Sequence, residues 1–350
     1  MAIPALLSGI IDPLIGILAD TRWRRALVIG GGAAFSLSLF LTAASGSYAV
    51  LLLSFILFYP ASGAFVNISQ AELMDRDPGR KDQNMARWTF AGSAGALAGP
   101  LALGALAGLG FGWRSLYCAA GVISMGVLVL AVRFGVGRPP VPHSPTDEQA
   151  PRLRDGFRSA LSALKRLEVV RWAILMEIAN LMLDVLFGFL ALYFVEAASV
   201  SASTAALGVT VWTAAEVLGD FLIIPLLERV DGLRWIRLSA GAVAVLYPCF
   251  LMAPPLAAKL VIIGVIGVLR AGWYAVLQAR LYASLPGRSG MAVAVSNLSG
   301  SLGALIPLGL GALAQAAGLR AAMWVLMAAP VALLAGIPRK EKPNDAPRSG

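Results

Sequence analysis

The sequence predicts an all-α polytopic membrane protein, and two observations lead to this fold class. The first is composition, because 58% of the 350 residues are hydrophobic and only 13% are charged, which excludes an ordinary soluble fold. The second is that apolar runs of about 18 residues or more recur along the chain, the length that a helix needs to cross a bilayer. The runs are continuous and do not alternate, so helices are favoured over a β-barrel.

Hydropathy places eleven spans along the chain, with a long polar stretch after the fifth. The pattern predicts an N-terminal helical bundle at 1–133, a cytoplasmic linker at 134–171, a C-terminal six-helix bundle at 172–338 and a basic cytoplasmic tail at 339–350. The predicted spans are 3–19, 27–44, 48–71, 87–108, 115–133, 173–195, 204–227, 236–254, 258–282, 290–315 and 320–337.

The predicted linker has two parts of different character. It begins with a proline-rich segment around Pro139 and Pro140, which cannot continue a helix. Further on, Phe157, Leu161 and Leu164 follow a helical period among basic residues. This pattern predicts an amphipathic helix on the inner membrane surface, and a solvated linker helix is the alternative.

The distribution of positive charge predicts the orientation of the chain. A net charge of +9 suggests a nucleic-acid partner at first sight. Of the 28 Lys and Arg residues, however, only Arg114, Lys259 and Arg320 fall in one set of alternate loops, while Arg270 lies within an apolar run and all the others fall in the opposite set. This is the positive-inside asymmetry of membrane proteins. We therefore expect an inner (plasma) membrane location with the C-terminus in the cytoplasm, and no nucleic-acid partner.

The residues that metal or nucleotide chemistry needs are scarce. The two cysteines, Cys118 and Cys249, lie in apolar runs, and the one histidine, His143, lies in a loop. No metal-ligand spacing and no Gly-x-x-x-x-Gly-Lys-Ser/Thr loop occurs in the sequence. The sequence therefore predicts no metal, no cofactor and no direct use of ATP. A membrane enzyme would need clustered catalytic groups, so we expect that the protein is not an enzyme.

The first span ends in a charged loop, Gly-Ile-Leu-Ala-Asp-Thr-Arg-Trp-Arg-Arg, at residues 16–25. One interpretation is a cytoplasmic turn held inside by its arginines. The loop also resembles the signature loop of the major facilitator superfamily, Gly-x-Leu-Ala-Asp-(Arg)-x-(Gly)-Arg-(Arg/Lys), which joins that family's second and third helices. Thr21 and Trp23 depart from the pattern. The matching residues are Gly16, Leu18, Ala19, Asp20, Arg24 and Arg25.

The segment Leu-Glu-Arg-Val-Asp-Gly-Leu-Arg at residues 227–234 resembles a degenerate second copy of this loop, at the matching place in the other half. Two helical halves and a long central loop also resemble this superfamily, whose fold is two six-helix bundles. The resemblance implies that Asp20 contacts the start of the tenth predicted span near Gly290, where a helix amino terminus attracts a carboxylate. Asp20 would then hold a cytoplasmic gate, supported by Arg24 and Arg25.

The resemblance also implies a further helix, because the family's signature loop follows its second helix and here it follows the first predicted span. We expect a chain that lacks the family's first transmembrane helix, through a misassigned or truncated start at Met1. An authentic eleven-span protein is the alternative. Asp12, which shares a helix face with Gly16 and Asp20, could belong to the gate or could face the absent helix.

Polar residues recur at helical spacing in the third span, at Tyr59, Gly63, Asn67 and Gln70. This stripe could line a transport cavity, or it could bind neighbouring helices together. Members of the family that exchange drugs for protons often carry an arginine four residues before the glycine. Tyr59 occupies that position here, which departs from the standard pattern of drug/proton antiport.

The fourth span contains glycines at intervals together with a proline. The string Gly-Ala-Leu-Ala-Gly-Pro-Leu-Ala-Leu-Gly at residues 95–104 resembles the Gly-x-x-x-Gly-Pro-x-x-Gly-Gly signature of antiporters in the superfamily. Glycines four residues apart let helices touch closely, so plain helix packing is the alternative. The residues concerned are Gly95, Gly99, Pro100 and Gly104.

Ionisable residues inside membrane spans are costly and usually face a cavity or a partner. Acids in the sixth and seventh spans and a stripe on the ninth span have this character, and the resemblance implies that the sixth and ninth spans line the cavity. Arg270 could pair with Asp184 or Glu216 in one state and release it in another, or it could form a permanent structural ion pair. The predicted substrate and ion path is Asn67, Gln70, Asp184, Glu216, Asp220, Arg270, Trp273 and Tyr274.

These observations predict a secondary active transporter of a small organic solute that works by alternating access. The string in the fourth span favours an ion-coupled exporter, with a proton as the coupling ion. The alternatives are an uptake permease and a non-transporting membrane scaffold or sensor derived from a transporter. The expected partners are the substrate, the ion and the lipid bilayer, and the resemblance implies a monomer.

Overall fold

A computed structural model describes residues 2–136, 158 and 162–338 of the chain. Over these residues the protein is α-helical, with short π and 3₁₀ segments and no strand. Eleven helices correspond in order to the eleven predicted spans. They are α1 Ala2–Ala19, α2 Arg24–Ala44, α3 Tyr48–Arg76, α4 Pro78–Gly108, α5 Trp113–Arg133, α6 Leu167–Ala197, α7 Ala202–Leu226, α8 Gly232–Met252, α9 Leu256–Ala283, α10 Ser289–Ala317 and α11 Leu319–Gly336.

Ten of these helices, within the described ranges, are long and apolar enough to cross a membrane. The predicted class, an all-α multi-pass membrane protein, is therefore confirmed. The remaining helix, α1, is apolar over Leu7–Ala19. The division into five and six spans stays a prediction. Most of the predicted linker helix and the whole basic tail lie outside the described residues.

Several helices are longer than the apolar runs that predicted them. The third helix continues to Arg76, the fourth begins at Pro78, and the sixth begins at Leu167. Hydropathy marks the part of a helix that suits the bilayer, whereas backbone hydrogen bonding continues into polar sequence beyond it. The extra turns carry charged residues that become important at the site described below.

The ninth predicted span is not one continuous helix. It forms Leu256–Leu269, a turn, and then Trp273–Ala283. Gly272 in the turn has φ +82°, a left-handed conformation that glycine adopts without steric cost. The stripe predicted on the ninth span, which includes Arg270, Trp273 and Tyr274, is therefore not continuous, because the break changes the helical phase between Arg270 and the residues after it.

Two other helices are irregular near their middles. Helix α6 contains a π segment at Leu181–Val185, and α10 is interrupted between Gly303 and Ile306. Helix α3 also contains a π segment, Gly63–Asn67. Segments of this kind are frequent at functional sites in helical proteins.

The chain forms two compact units that do not coincide with its sequence halves. The first unit comprises Met1–Glu177 and Tyr274–Gly309, and the second comprises Ile178–Trp273 and Leu310–Gly350. In the first unit, Val28, Ile68 and Leu128 belong to one buried cluster. In the first unit the opening part of α10 also packs along α1, so that helices from opposite ends of the chain form one core.

The second unit has its own aromatic core. Trp212 of α7, Tyr247 and Phe250 of α8, and Phe194 of α6 are fully buried there. The rings of Phe194 and Phe250 meet edge to face at 6.1 Å, a favourable arrangement for aromatic pairs. These residues come from helices that are neighbours in sequence, as is usual for helical bundles.

Candidate functional site

The charged loop between α1 and α2 contacts the beginning of α10. The Asp20 carboxylate accepts hydrogen bonds from the backbone amides of Gly290, at 2.6 Å, and Met291, at 2.8 Å. Both amides belong to the first turn of α10, where backbone donors have no partner within the helix. The partial positive charge of a helix amino terminus adds to the attraction. We call Asp20 and these two amides the Asp20 latch.

Close backbone packing brings the two helices together at the latch. A Cβ atom at Gly16 would lie 2.7 Å from the backbone nitrogen of Ala294 and 2.8 Å from the carbonyl oxygen of Gly290. A Cβ atom at Gly290 would lie 2.7 Å from an Asp20 carboxylate oxygen and would overlap the carbonyl oxygen of Gly16. Both positions therefore need glycine, because any side chain would force α1 and α10 apart.

Burial changes the acidity of the Asp20 carboxyl group. Removal from water raises the pKa of Asp20 to about 6, against the opposing effects of the two amide hydrogen bonds and of the nearby Arg24. A carboxylate loses hydration when it is buried, and two hydrogen bonds compensate for that loss only in part. Asp20 therefore titrates in a range that is accessible to experiment.

A second ionic contact lies beside the latch. Arg24, which is 2% exposed, donates from Nη1 to Asp75 at 2.9 Å. Its Nη2 atom donates to the Ser289 hydroxyl at 3.3 Å, and that hydroxyl donates in turn to Asp75. Three helices, α2, α3 and α10, are thus joined by one hydrogen-bonded cluster. The burial of this arginine is compensated by a paired carboxylate, as buried charges require.

The remaining predicted residues of the first unit have mixed environments. Arg25 is exposed, unlike its neighbour Arg24. Gln70 is buried and accepts a hydrogen bond from the Tyr282 hydroxyl at 3.1 Å. Asn67 is half-buried at the end of the π segment of α3. The predicted polar stripe of α3 therefore contains one residue that is already engaged by a side chain of α9.

The second unit contains an ion pair where α9 is broken. The Nη2 atom of Arg270 lies 2.6 Å from a carboxylate oxygen of Glu216 on α7. Arg270 is 5% exposed and Glu216 is 31% exposed. The guanidinium also lies over the indole ring of Trp212, with its carbon 4.5 Å from the ring centre, a cation–π contact. The two atoms are close, but within the described residues Arg270 Nη2 makes no hydrogen bond.

The other predicted residues of the second unit are distributed around this pair. Asp184, in the π segment of α6, lies close enough to interact electrostatically with both Arg270 and Glu216. Asp220 is buried one turn beyond Glu216. Trp273 is fully buried and donates its indole hydrogen to the Ser239 hydroxyl at 2.8 Å, so it is engaged in the core of the second unit. Tyr274 belongs to the first unit.

The glycine string of α4 makes no close helix contact over the described residues. A Cβ atom built at Gly95, Gly99 or Gly104 would meet no atom within 4 Å. Pro100 lies inside the helix and is exposed. The interpretation of this string as an antiporter signature stays a prediction. Over the same described ranges, no cluster of three or more metal-ligating side chains occurs.

Sequence reasoning missed Asp75 and Ser289, which complete the cluster around Arg24. Asp75 is one of four acids in the stretch 72–82, and helical spacing alone does not show which of them reaches the loop after α1. The nearest signal is its place at the end of α3, beyond the apolar run, where a charged side chain can face another helix end. Nothing in the spacing indicates a partner in α10.

The ten helices within the described ranges that are long and apolar enough to cross a membrane define a multi-pass membrane protein. The family model of the Major Facilitator Superfamily matches residues 1–198, more than half of the chain. The chain belongs to the Major Facilitator Superfamily, whose members are generally transporters and not enzymes. No curated protein has a matching sequence.

Solved structures with the same fold agree with this assignment. FucP in the outward conformation, a transporter of this superfamily, has a TM-score of 0.73 and 17% identity, with 95% of this chain and 87% of that chain covered. The human organic anion transporter MFSD10 has a TM-score of 0.69 and 19% identity, covering 96% and 82%. The proton:xylose symporter XylE has a TM-score of 0.67 and 15% identity, covering 95% and 83%.

Proposed function

We propose that the protein is a secondary active transporter that moves a small organic solute across the membrane by alternating access, as a proton-coupled exporter. The observation that carries this proposal is the Arg270–Glu216 ion pair, with Asp184 in electrostatic reach, at the break in α9. Broken helices near the membrane midplane commonly hold substrates and coupling ions in transporters. Ionisable side chains inside a membrane are costly and usually functional.

Proton coupling follows from competition for one arginine. A proton that binds Glu216 removes its negative charge, and the attraction that holds Arg270 then weakens. Arg270 becomes available to Asp184 or to a polar group of the substrate. The two protonation states therefore favour different arrangements of the same side chains, which is what a transporter needs to couple two binding events. The alternative is that Arg270 and Glu216 stay paired throughout.

The Asp20 latch supplies the gate in this proposal. Its hydrogen bonds to Gly290 and Met291, and the close contact at Gly16, stabilise one arrangement of α1 and α10. Opening exposes two backbone donors and one carboxylate, which water can then solvate. The sequence-based orientation assigns this gate to the cytoplasmic side of an inner (plasma) membrane, with the protein acting as a monomer and its C-terminus in the cytoplasm.

The direction of transport rests on the sequence. The string at residues 95–104 resembles an antiporter signature and favours export. Tyr59 in place of the usual arginine departs from drug/proton antiport, so uptake by a permease is the second candidate. A scaffold or sensor that binds a solute without moving it is the third, and stabilisation by a ligand without flux would identify it.

Flux measurements in proteoliposomes with a trapped pH dye test the proposal. The panel consists of L-fucose, D-xylose, an organic anion dye and an organic cation dye, added under an imposed pH gradient. We expect one class to drive proton movement in the wild type, and Glu216→Gln and Arg270→Ala to lower this coupled flux at least about tenfold. Glu196→Gln, an exposed acid of the same helical unit, is the matched control and should keep wild-type flux.

Wild-type coupled flux in Asp184→Asn, Glu216→Gln and Arg270→Ala, all inserted normally, would contradict the role of this site. Solute movement that ignores the pH gradient would contradict proton coupling. Accumulation of the solute on the side that protons leave would indicate antiport. Accumulation of the solute on the side that protons enter would indicate symport, as expected for uptake.

A further inference from the structure

A cavity of about 490 Å³ lies within the second unit, away from the Arg270 pair. It is formed by the end of α6, the turn between α8 and α9, and the beginning of α11. Most of the residues that form it are of apolar types, and two are basic. The residues that form it are Tyr193, Ala197, Ala198, Val200, Leu251, Met252, Ala253, Pro254, Leu256, Lys259, Arg320 and Trp324.

Lys259 is a buried cation whose hydrogen bonds all go to neutral groups. Its Nζ donates to the Tyr193 hydroxyl and to the Phe250 carbonyl, both at 2.7 Å, and to the Leu251 carbonyl at 3.3 Å. The ammonium group also lies 5.1 Å from the ring centre of Tyr193. Its three donors are thereby used. Lys259 therefore supplies a fixed positive charge, 6% exposed, which no carboxylate of the cavity wall neutralises.

Arg320 differs from Lys259, because its guanidinium has further N–H donors that a ligand can use. It is exposed, and its Nη2 atom donates to the Ala197 carbonyl at 3.0 Å. A guanidinium carries five N–H donors, and within the described residues this is its one hydrogen bond. Arg320 also lies close enough to Lys259 for the two charges to repel. Two unneutralised cations beside one cavity create a strong positive potential.

The backbone at the rim of this cavity is strained. Ser199 has φ +56°, a left-handed conformation that is uncommon outside glycine and asparagine. Its neighbours Ala198 and Val200 form part of the wall, and their amides donate to the carbonyls of Tyr193, at 3.0 Å, and Phe194, at 3.1 Å. Strain of this kind persists where surrounding contacts fix the backbone, often at binding sites.

We infer that this cavity binds the anionic group of a molecule with an apolar body, a carboxylate or a phosphate. Arg320 donates hydrogen bonds to the anion, and Lys259 stabilises it by charge alone. Trp324 and Leu251 contact the apolar part. The same chemistry fits a soluble organic anion and an anionic lipid headgroup. This site is separate from the Arg270 pair, so it holds whether or not the proposed transport function is correct.

The sequence contains a matched control for Arg320. Arg114 is also exposed, and its Nη2 atom also donates to a backbone carbonyl, that of Ser45, at 2.8 Å. It belongs to the first unit and does not line the cavity. Arg114, Lys259 and Arg320 are the three basic residues that charge counting assigns to the same side of the membrane. Arg320→Gln and Arg114→Gln therefore make the same chemical change in two settings.

Binding is measured on the full chain in nanodiscs, by thermal unfolding with benzoate as the soluble probe and benzamide as its neutral counterpart. The lipid arm compares phosphatidylglycerol with phosphatidylcholine, with retained lipid counted by native mass spectrometry. We expect an anion to stabilise the wild type and the Arg114→Gln variant. Arg320→Gln should weaken that anion's apparent affinity about tenfold or more, the effect of losing a charge-assisted contact.

Benzoate binding that depends on Arg320, without benzamide binding, supports the site with a soluble anion as its ligand. Retention of phosphatidylglycerol that depends on Arg320, without benzoate binding, supports the site with a lipid as its ligand. The inference is overturned if neither anion binds, or if Arg114→Gln and Arg320→Gln weaken binding equally. It is also overturned if benzamide stabilises the protein as much as benzoate. None of these readouts uses transport.

Discussion

The loop between α1 and α2 and the loop between α7 and α8 have similar sequences, but their acids have different partners. Asp20 accepts hydrogen bonds from Gly290 and Met291, some 270 residues away in the chain. Asp231 accepts a hydrogen bond from the amide of Arg234, 3.0 Å away, and caps its own helix α8. One copy of the motif joins two distant helices, whereas the acid of the other copy caps the beginning of the helix that follows it.

A single position accounts for much of this difference. Four residues before Asp20 is Gly16, whose missing side chain lets the backbone of α10 approach. Four residues before Asp231 is Leu227, a side chain that is itself buried. A leucine side chain fills the space that Gly16 leaves open to a neighbouring backbone. The acid makes the hydrogen bond, but the glycine decides whether a distant helix end can reach it.

The largest expected effect comes from separating α1 from α10 at Gly16. In Gly16→Ala the new Cβ would lie 2.7 Å from a backbone atom of α10, and backbone cannot move aside as a flexible side chain can. We expect overpacking to cost about 3 kcal/mol and to open the latch about a hundredfold. The measurement is the alkylation rate of Met291→Cys, a buried position, with Cys118 and Cys249 replaced by alanine.

Gly241→Ala is the control, because a Cβ atom at Gly241 in α8 would meet no atom within 4 Å. It should leave the alkylation rate unchanged. Equal rates in the two alanine variants would show that close packing at Gly16 does not hold the latch.

The next effect separates the two acids. Asp20→Ala leaves two amide donors of α10 without their acceptor, at about 1–3 kcal/mol for an unsatisfied buried donor. We expect Met291→Cys to react about tenfold faster or more. Asp231→Ala removes a helix cap worth about 1 kcal/mol, which lowers the unfolding temperature slightly and leaves that reaction rate unchanged. A faster reaction in Asp231→Ala would show that the second loop also governs α10.

The smallest effect is the pH dependence of the latch. Burial raises the pKa of Asp20 to about 6 from an ordinary value of 3.8. Between these values the latched form binds more protons than an opened form with Asp20 in water. The free energy needed to open the latch therefore falls as pH rises through this window. From pH 7 to pH 5 we expect the latch to become about tenfold more stable against opening.

The alkylation rate of Met291→Cys at each pH is divided by the rate in an Asp20→Asn background, which cancels the titration of the thiol itself. The ratio should fall about tenfold between pH 7 and pH 5. A ratio that is constant, or that rises as pH falls, would show that desolvation does not dominate the acidity of Asp20.

The sequence predicts the positions of the helices well, but it predicts far less about which side chains contact one another. Apolar runs predicted the helices in order, because a membrane-spanning segment must satisfy its backbone internally and must be predominantly apolar. Gly16, Asp20 and Arg24 were singled out by their motif and do lie together. The break at Gly272 was missed, because an isolated glycine in an apolar run also occurs in continuous membrane helices.

Composition, hydropathy and charge by themselves determined that this chain is a multi-pass helical protein, since these properties depend on each segment's own contact with lipid or water. The motif at residues 16–25 indicated the superfamily. The pairing of Arg24 with Asp75, and of Arg270 with Glu216, becomes visible only in the folded chain. These pairings depend on which helix faces lie within a few ångströms of each other. The distance between helix faces is set by packing between segments far apart in sequence.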